Sequence, residues 1–91
     1  DGEYSGTAVC DVYGYTVTVT ITVSDNIITA VNAVSDAKSE DVQYFNKANE
    51  AMPDKIINNQ GVAGVDAVGG ATKSSNAIKK AFYNAYKSAK K

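Results

Sequence analysis

From Tyr15 to Val23 the chain alternates without a break: Tyr15, Val17, Val19, Ile21 and Val23 fall on one side of an extended chain, and Thr16, Thr18, Thr20 and Thr22 on the other. Period-two alternation of this kind predicts an antiparallel strand with one face buried and one facing water. The stretch Tyr4 to Tyr13 also reads as a strand, set off by Gly14 at the spacing of a tight connection. Ser24-Asp25-Asn26 supplies a second turn, and the β-branched content of Ile27 to Val34 suits a third strand. A three-stranded meander is the simplest arrangement of these pieces.

After Ser35 the period changes. Ser39 is placed to N-cap a helix whose first turn carries Glu40 and Asp41, carboxylates that suit the positive end of the helix dipole. Val42, Phe45, Ala48 and Met52 then share a face. Pro53 is expected to end that helix at a corner and to open a short second one, carrying Ile56 and Ile57 and stopping at Gly61. Four glycines between Gly61 and Gly70 mark a loop. From Ser74 onward Ala77, Ile78, Ala81, Phe82, Ala85 and Ala89 form one stripe of a final helix. The predicted class is α+β: an antiparallel meander of three or more strands packed against helices, with a glycine-bearing loop before the C-terminal helix. Residues 1–91 are expected to form one domain, because a chain of 91 residues has room for one modest core.

Composition removes several classes of chemistry. The chain has no His, no Trp and no Arg, so histidine-dependent triads and zinc sites are excluded and no metal site is expected. Ten acidic and nine basic residues give a formal charge of −1, which argues against nucleic acid as a partner. The single cysteine, Cys10, reads as a small buried apolar side chain. No apolar run approaches the roughly 20 residues of a membrane span. The chain opens at Asp1 without Met or a signal peptide, as expected of an excised domain or a processed product. Residues 1–37 hold five acids and no Lys, whereas residues 73–91 hold six Lys and no acid. Two readings of those lysines stand: a solvated helix face whose last turn suits the negative dipole end, and a docking patch for an anionic partner or surface.

The segment richest in chemistry is Asp66-Ala67-Val68-Gly69-Gly70-Ala71-Thr72-Lys73-Ser74-Ser75, a glycine-bearing loop entering the last helix. A helix start offers unpaired N–H groups and about half a positive charge, which together favour a phosphate. Gly69 and Gly70 let backbone approach a ligand closely, Thr72, Ser74 and Ser75 add hydroxyls, and Lys73 adds a cation. The same residues also describe an ordinary turn followed by an N-cap. The spacing fits neither a nucleotide-triphosphate loop nor a Rossmann fingerprint.

Four segments in order carry a resemblance. Asp1-Gly2-Glu3-Tyr4-Ser5-Gly6-Thr7-Ala8 is similar to a D-G-x-Y-x-G-x-A opening. Val17 to Ile21 with Asp25 to Val31, and then Met52 to Ile57, follow. Val65 to Ile78 resembles V-D-x-V-[ST]-G-A-T-x-[ST]-S-x-A-I, with Gly69 standing where Ser or Thr is usual. Over nearly its whole length the chain resembles the FMN-binding domains, also found in the C and G subunits of sodium-pumping and Rnf-type oxidoreductases. A further family segment, E-T-P-G, is not recognisable in Asp36 to Asp41.

The resemblance implies that Thr72 is esterified to the phosphate of FMN by a separate flavin transferase that uses FAD as donor. Asp66, Val68, Gly69, Gly70, Ala71, Lys73, Ser74 and Ser75 are then expected around the cofactor, although Asp66 also suits a turn. Tyr44, Phe45 and Met52 are candidate walls for the flavin ring, but first of all candidate core residues. With no His and no evident acid/base pair, the domain is expected to carry electrons rather than transform a substrate. The resemblance places it outside the cytoplasmic membrane, anchored through regions outside this chain. Its expected partners are the flavin transferase and redox proteins or small electron acceptors. Two other functions stand beside this one: the electron-input domain of a larger reductase, and a structural surface module that has lost the flavin.

Overall fold

The computed structural model describes residues 2–10, 14–38, 41–62, 64–69 and 71–89. Three strands come first, β1 (Gly2–Val9), β2 (Thr16–Ser24) and β3 (Ile27–Ser35), and two helices follow, α1 (Asp41–Asn59) and α2 (Thr72–Ala89). The sheet has the order β1-β2-β3 with both pairs antiparallel, so the expected α+β meander forms. Val19 sits at its centre, opposite Gly6 on one side and Ala33 on the other. Tyr15, Val17, Val19 and Ile21 are buried as their alternation requires. Full burial of a Val or Ile side chain contributes about 1.5–3 kcal/mol, so β2 anchors the core. α2 lies across β1 and β2, while α1 lies against β3 and α2.

The connections follow from local chemistry. Asp25 and Asn26 have φ of 53° and 65°, the left-handed pair that a two-residue hairpin needs and that Asp and Asn tolerate. At the other end of β2, the Cys10 N–H donates to Tyr15 O at 2.8 Å and the Gly14 N–H to Cys10 O at 2.7 Å. β1 thus stops at Val9; Tyr13, the expected end of the first strand, lies outside the described residues. Cys10 is buried as expected.

The corner expected at Pro53 does not form, and α1 runs through it for 19 residues. Proline inside a helix costs roughly 3 kcal/mol. Phe45, Ala48, Met52 and Ile56 nevertheless make one unbroken buried stripe across Pro53, and burial of Met52 and Ile56 alone offsets that cost. Val42, expected on the same face, is exposed instead. The proposed cap at Ser39 and Glu40 lies outside the described residues, as does the side chain of Asp41.

Side-chain amides reach from both helices to the strands. At the end of α1, Gln60 adopts φ 56° while its N–H and that of Gly61 bond back to Ile57 O and Ile56 O. Its side chain accepts from the Ile28 N–H at 2.8 Å and donates to Ile28 O at 2.9 Å. Asn49 Nδ2 donates to Ala33 O, and Asn84 Nδ2 to Thr7 O. Gln60→Ala is expected to lower stability by about 1–3 kcal/mol, because both polar groups of Ile28 lose their partner. A lower urea midpoint at unchanged slope would register it.

Candidate functional site

The loop before α2 turns residues three apart, Val65, Val68 and Ala71, toward the core. Val65 and Ala71 are buried and Val68 is half-buried, while Asp66, Gly69, Thr72 and Lys73 face solvent. Backbone bonds set the path: the Ala71 N–H donates to Val68 O at 3.0 Å, and the Ser75 N–H to Ala71 O at 2.9 Å. Lys79 Nζ reaches back to Val65 O at 2.9 Å. Helix α2 therefore begins at Thr72, before the Ser74 start that its apolar stripe suggests. The first amides after Ala71 have no partner inside the helix, as at any helix start, and α2 carries no acid in its first turn.

Two of the expected phosphate hydroxyls are turned inward. Ser74 and Ser75 are fully buried. Ser75 Oγ accepts the Val68 N–H at 3.0 Å, and Ser74 Oγ is hydrogen-bonded to Tyr15 Oη. Tyr15 in turn sets its ring edge-on to Phe45, 6.3 Å between centroids. The cause is helical phase: the buried stripe of Ile78, Ala81, Phe82 and Ala85, extended back by one turn, lands on Ser74 and Ser75. The same phase turns Thr72, Lys73 and Asn76 outward. Ser75→Ala leaves the Val68 N–H without its acceptor, so a loss of about 1–2 kcal/mol is expected in denaturant titration.

Gly69 has no atom within 4 Å of a built Cβ, so that position has room for the hydroxyl side chain that the motif usually carries. Gly70 lies outside the described residues. Beside the loop, Asp66, Val65 and Gly64 join Lys55, Asn58 and Asn59 of α1 around an open hollow of about 410 Å³. A second hollow of about 330 Å³, lined by Val23, Ile28, Gln60 and Tyr86, lies toward the far end of α2. At 1.5 Å per residue, Tyr86 stands about 21 Å along the helix from Thr72, so that hollow is separate from the loop. Of the candidate ring walls, Tyr44 is exposed, whereas Phe45 and Met52 belong to the core. Among the described residues, no group of three or more Cys, Asp or Glu is arranged to hold a metal.

A family model, the FMN-binding domain, matches residues 13–87. The chain belongs to the FMN-binding domain family. No curated protein matches it. Among solved structures, it is similar to the CPE2226 protein from Clostridium perfringens, with a TM-score of 0.65 and 24% identity over 97% of this chain and 89% of that one. At that identity the likeness shows a shared fold.

The residues of this FMN-binding domain fit the phosphate end of the cofactor. Thr72 and Lys73 are exposed at the start of α2, where the first-turn amides have no intrahelical partner. Buried Val65, Ala71, Ser74 and Ser75 anchor the described part of this segment in the core. Tyr15, Lys79, Asn58 and Asn59 were not legible as parts of this region. Tyr15 and Ser74 are 59 residues apart, and no local pattern announces their bond.

Proposed function

We propose that this FMN-binding domain is an electron-transfer module whose flavin is ester-linked through its phosphate to Thr72. The observation that carries the reading is the outward hydroxyl of Thr72 at the first position of α2, within a chain of the FMN-binding family. In the loading step the Thr72 Oγ1 forms a bond to the flavin-side phosphorus of FAD, the pyrophosphate P–O bond breaks and AMP leaves. The hydroxyl proton passes to a base of the flavin transferase, since this chain has no His and no evident base beside Thr72.

Once attached, the isoalloxazine supplies reversible redox chemistry. The protein's part is to hold one end. A domain of 91 residues offers shallow hollows rather than a deep cleft. A covalent link converts ring docking into an intramolecular event at effective concentrations on the order of millimolar. An open ring edge then remains reachable by electron donors and acceptors. The hollow beside Asp66 is the ring site in this reading, with Lys55, Asn58 and Asn59 as its polar lining. The reading also takes the domain to work outside the cytoplasmic membrane as a carrier rather than an enzyme, anchored through regions outside this chain. Its partners are a flavin transferase and redox proteins or small acceptors.

The test is co-expression with a flavin transferase followed by intact mass. A gain of FMN less one water, with flavin absorbance that survives denaturation, is expected. An unchanged mass with no flavin absorbance would overturn the reading.

A further inference from the structure

Outside the loop, the feature with most chemistry is the solvent face of α2. Lys73, Asn76, Lys80, Tyr83 and Lys87 are all exposed and follow at intervals of three and four residues. At 3.6 residues per turn they share an arc of roughly 100° with Thr72, over a length of about 22 Å. This helix contains no acid to neutralise them. Among the described residues Lys73 and Lys80 have neither an ion-pair nor a hydrogen-bond partner, and Lys87 Nζ lies 5.3 Å from the centroid of the Tyr83 ring. Along one flank a small hollow is lined by Val9, Cys10, Lys73, Asn76, Ala77 and Lys80. Val9 and Tyr83 are each 53% exposed. The stripe thus combines lysines with one aromatic and one apolar side chain.

We infer that this stripe is the docking surface for the enzyme that loads Thr72, and that the enzyme presents an acidic face to it. The inference rests on the assignment of Thr72 as the attachment residue. A protein that brings a phosphorus atom to bonding distance of Thr72 must cover the surface around it. A standard interface of about 800 Å² per partner is roughly 30 Å across, so a footprint centred on Thr72 takes in Lys73, Asn76 and Lys80, and one centred on the helix also takes in Tyr83 and Lys87. Unpaired lysines there favour an acidic counterpart, which gains both steering and register from them. Exposed Tyr83 and Val9 supply the apolar contacts that protein interfaces place among charges. A lipid surface fits less well: the apolar face of α2 is packed on the sheet, and a membrane-surface helix needs that face free.

The experiment compares wild type, the double variant Lys80→Glu/Lys87→Glu, and the control Lys38→Glu/Lys47→Glu, which carries the same charge change at exposed positions elsewhere. Each is labelled by purified flavin transferase with FAD at low and high ionic strength, the adduct being followed by intact mass and the fold by circular dichroism. The α2 variant is expected to lose at least about tenfold in kcat/KM at low salt, with kcat nearly unchanged and the gap narrowing at high salt. The control should label like wild type. Equal labelling of all three proteins would overturn the inference while leaving Thr72 in place. Failure of wild type to accept the label would remove Thr72 and the inference together. A third arm uses vesicles of phosphatidylglycerol and phosphatidylcholine. Binding of wild type but not the α2 variant to them, with equal labelling rates, would assign the stripe to lipid and overturn the docking proposal.

Discussion

Thr72→Ala, co-expressed with the flavin transferase, is expected to emerge at its unmodified mass and without flavin absorbance. The effect should be complete, because alanine leaves no oxygen to bond to phosphorus at that position. It should also be separable from folding. The Thr72 side chain is exposed and makes no hydrogen bond within the described residues, and alanine is the better helix former. Its stability is therefore expected to stay within about 0.5 kcal/mol of wild type. Thr72→Ser keeps a hydroxyl in the same place and should keep the adduct. An undiminished adduct in Thr72→Ala would move the attachment to another residue.

Gly6→Val is expected to be the most destabilising single change, by at least about 3 kcal/mol. For a domain of this size that lowers Tm by more than about 10 °C, readable by thermal denaturation. The reason is space, because Gly6 lacks the positive φ that would reserve its position for glycine on conformational grounds. A Cβ there would meet Ala85 N at 2.3 Å, Ala81 O at 2.5 Å and Asn84 C at 2.7 Å. All three belong to the backbone of α2, so no rotamer change relieves the contact. Gly6 and Ala8 on β1 and Ala81 and Ala85 on α2 form a small-on-small seam that lets the helix rest directly on the strand. A Gly6→Val protein with wild-type Tm would show that α2 can lift off β1 without loss.

How much of this was legible depended on the range of the interaction. The strict alternation of β2 specified the sheet face residue by residue, since period two has one solution when one side is buried. The Asp25-Asn26 turn was equally local. Pro53 misled because a propensity rule that holds on average lost to one apolar stripe, Phe45 to Ile56, that local reading cut in two. Ser74 and Ser75 misled for a related reason. Hydroxyls next to a glycine pair look like phosphate ligands, yet the stripe from Ala77 onward already held the phase that turns them inward. Gly6 stood in a motif without its reason, because the seam with Ala85 joins residues 79 positions apart. The amides on the strands, from Asn49, Gln60 and Asn84, had no signature in sequence at all.

Those three amides have a consequence for how copies of the domain behave side by side. A three-stranded sheet has two open borders, and a border with unsatisfied main-chain groups invites another polypeptide to extend it, the first step toward fibrils and swapped dimers. Here Thr7 on one border, and Ile28 and Ala33 on the other, are already engaged by Asn84, Gln60 and Asn49. Crowded or tandemly repeated copies would meet a rim with key attachment points taken, and so remain separate beads instead of fusing into a continuous ribbon.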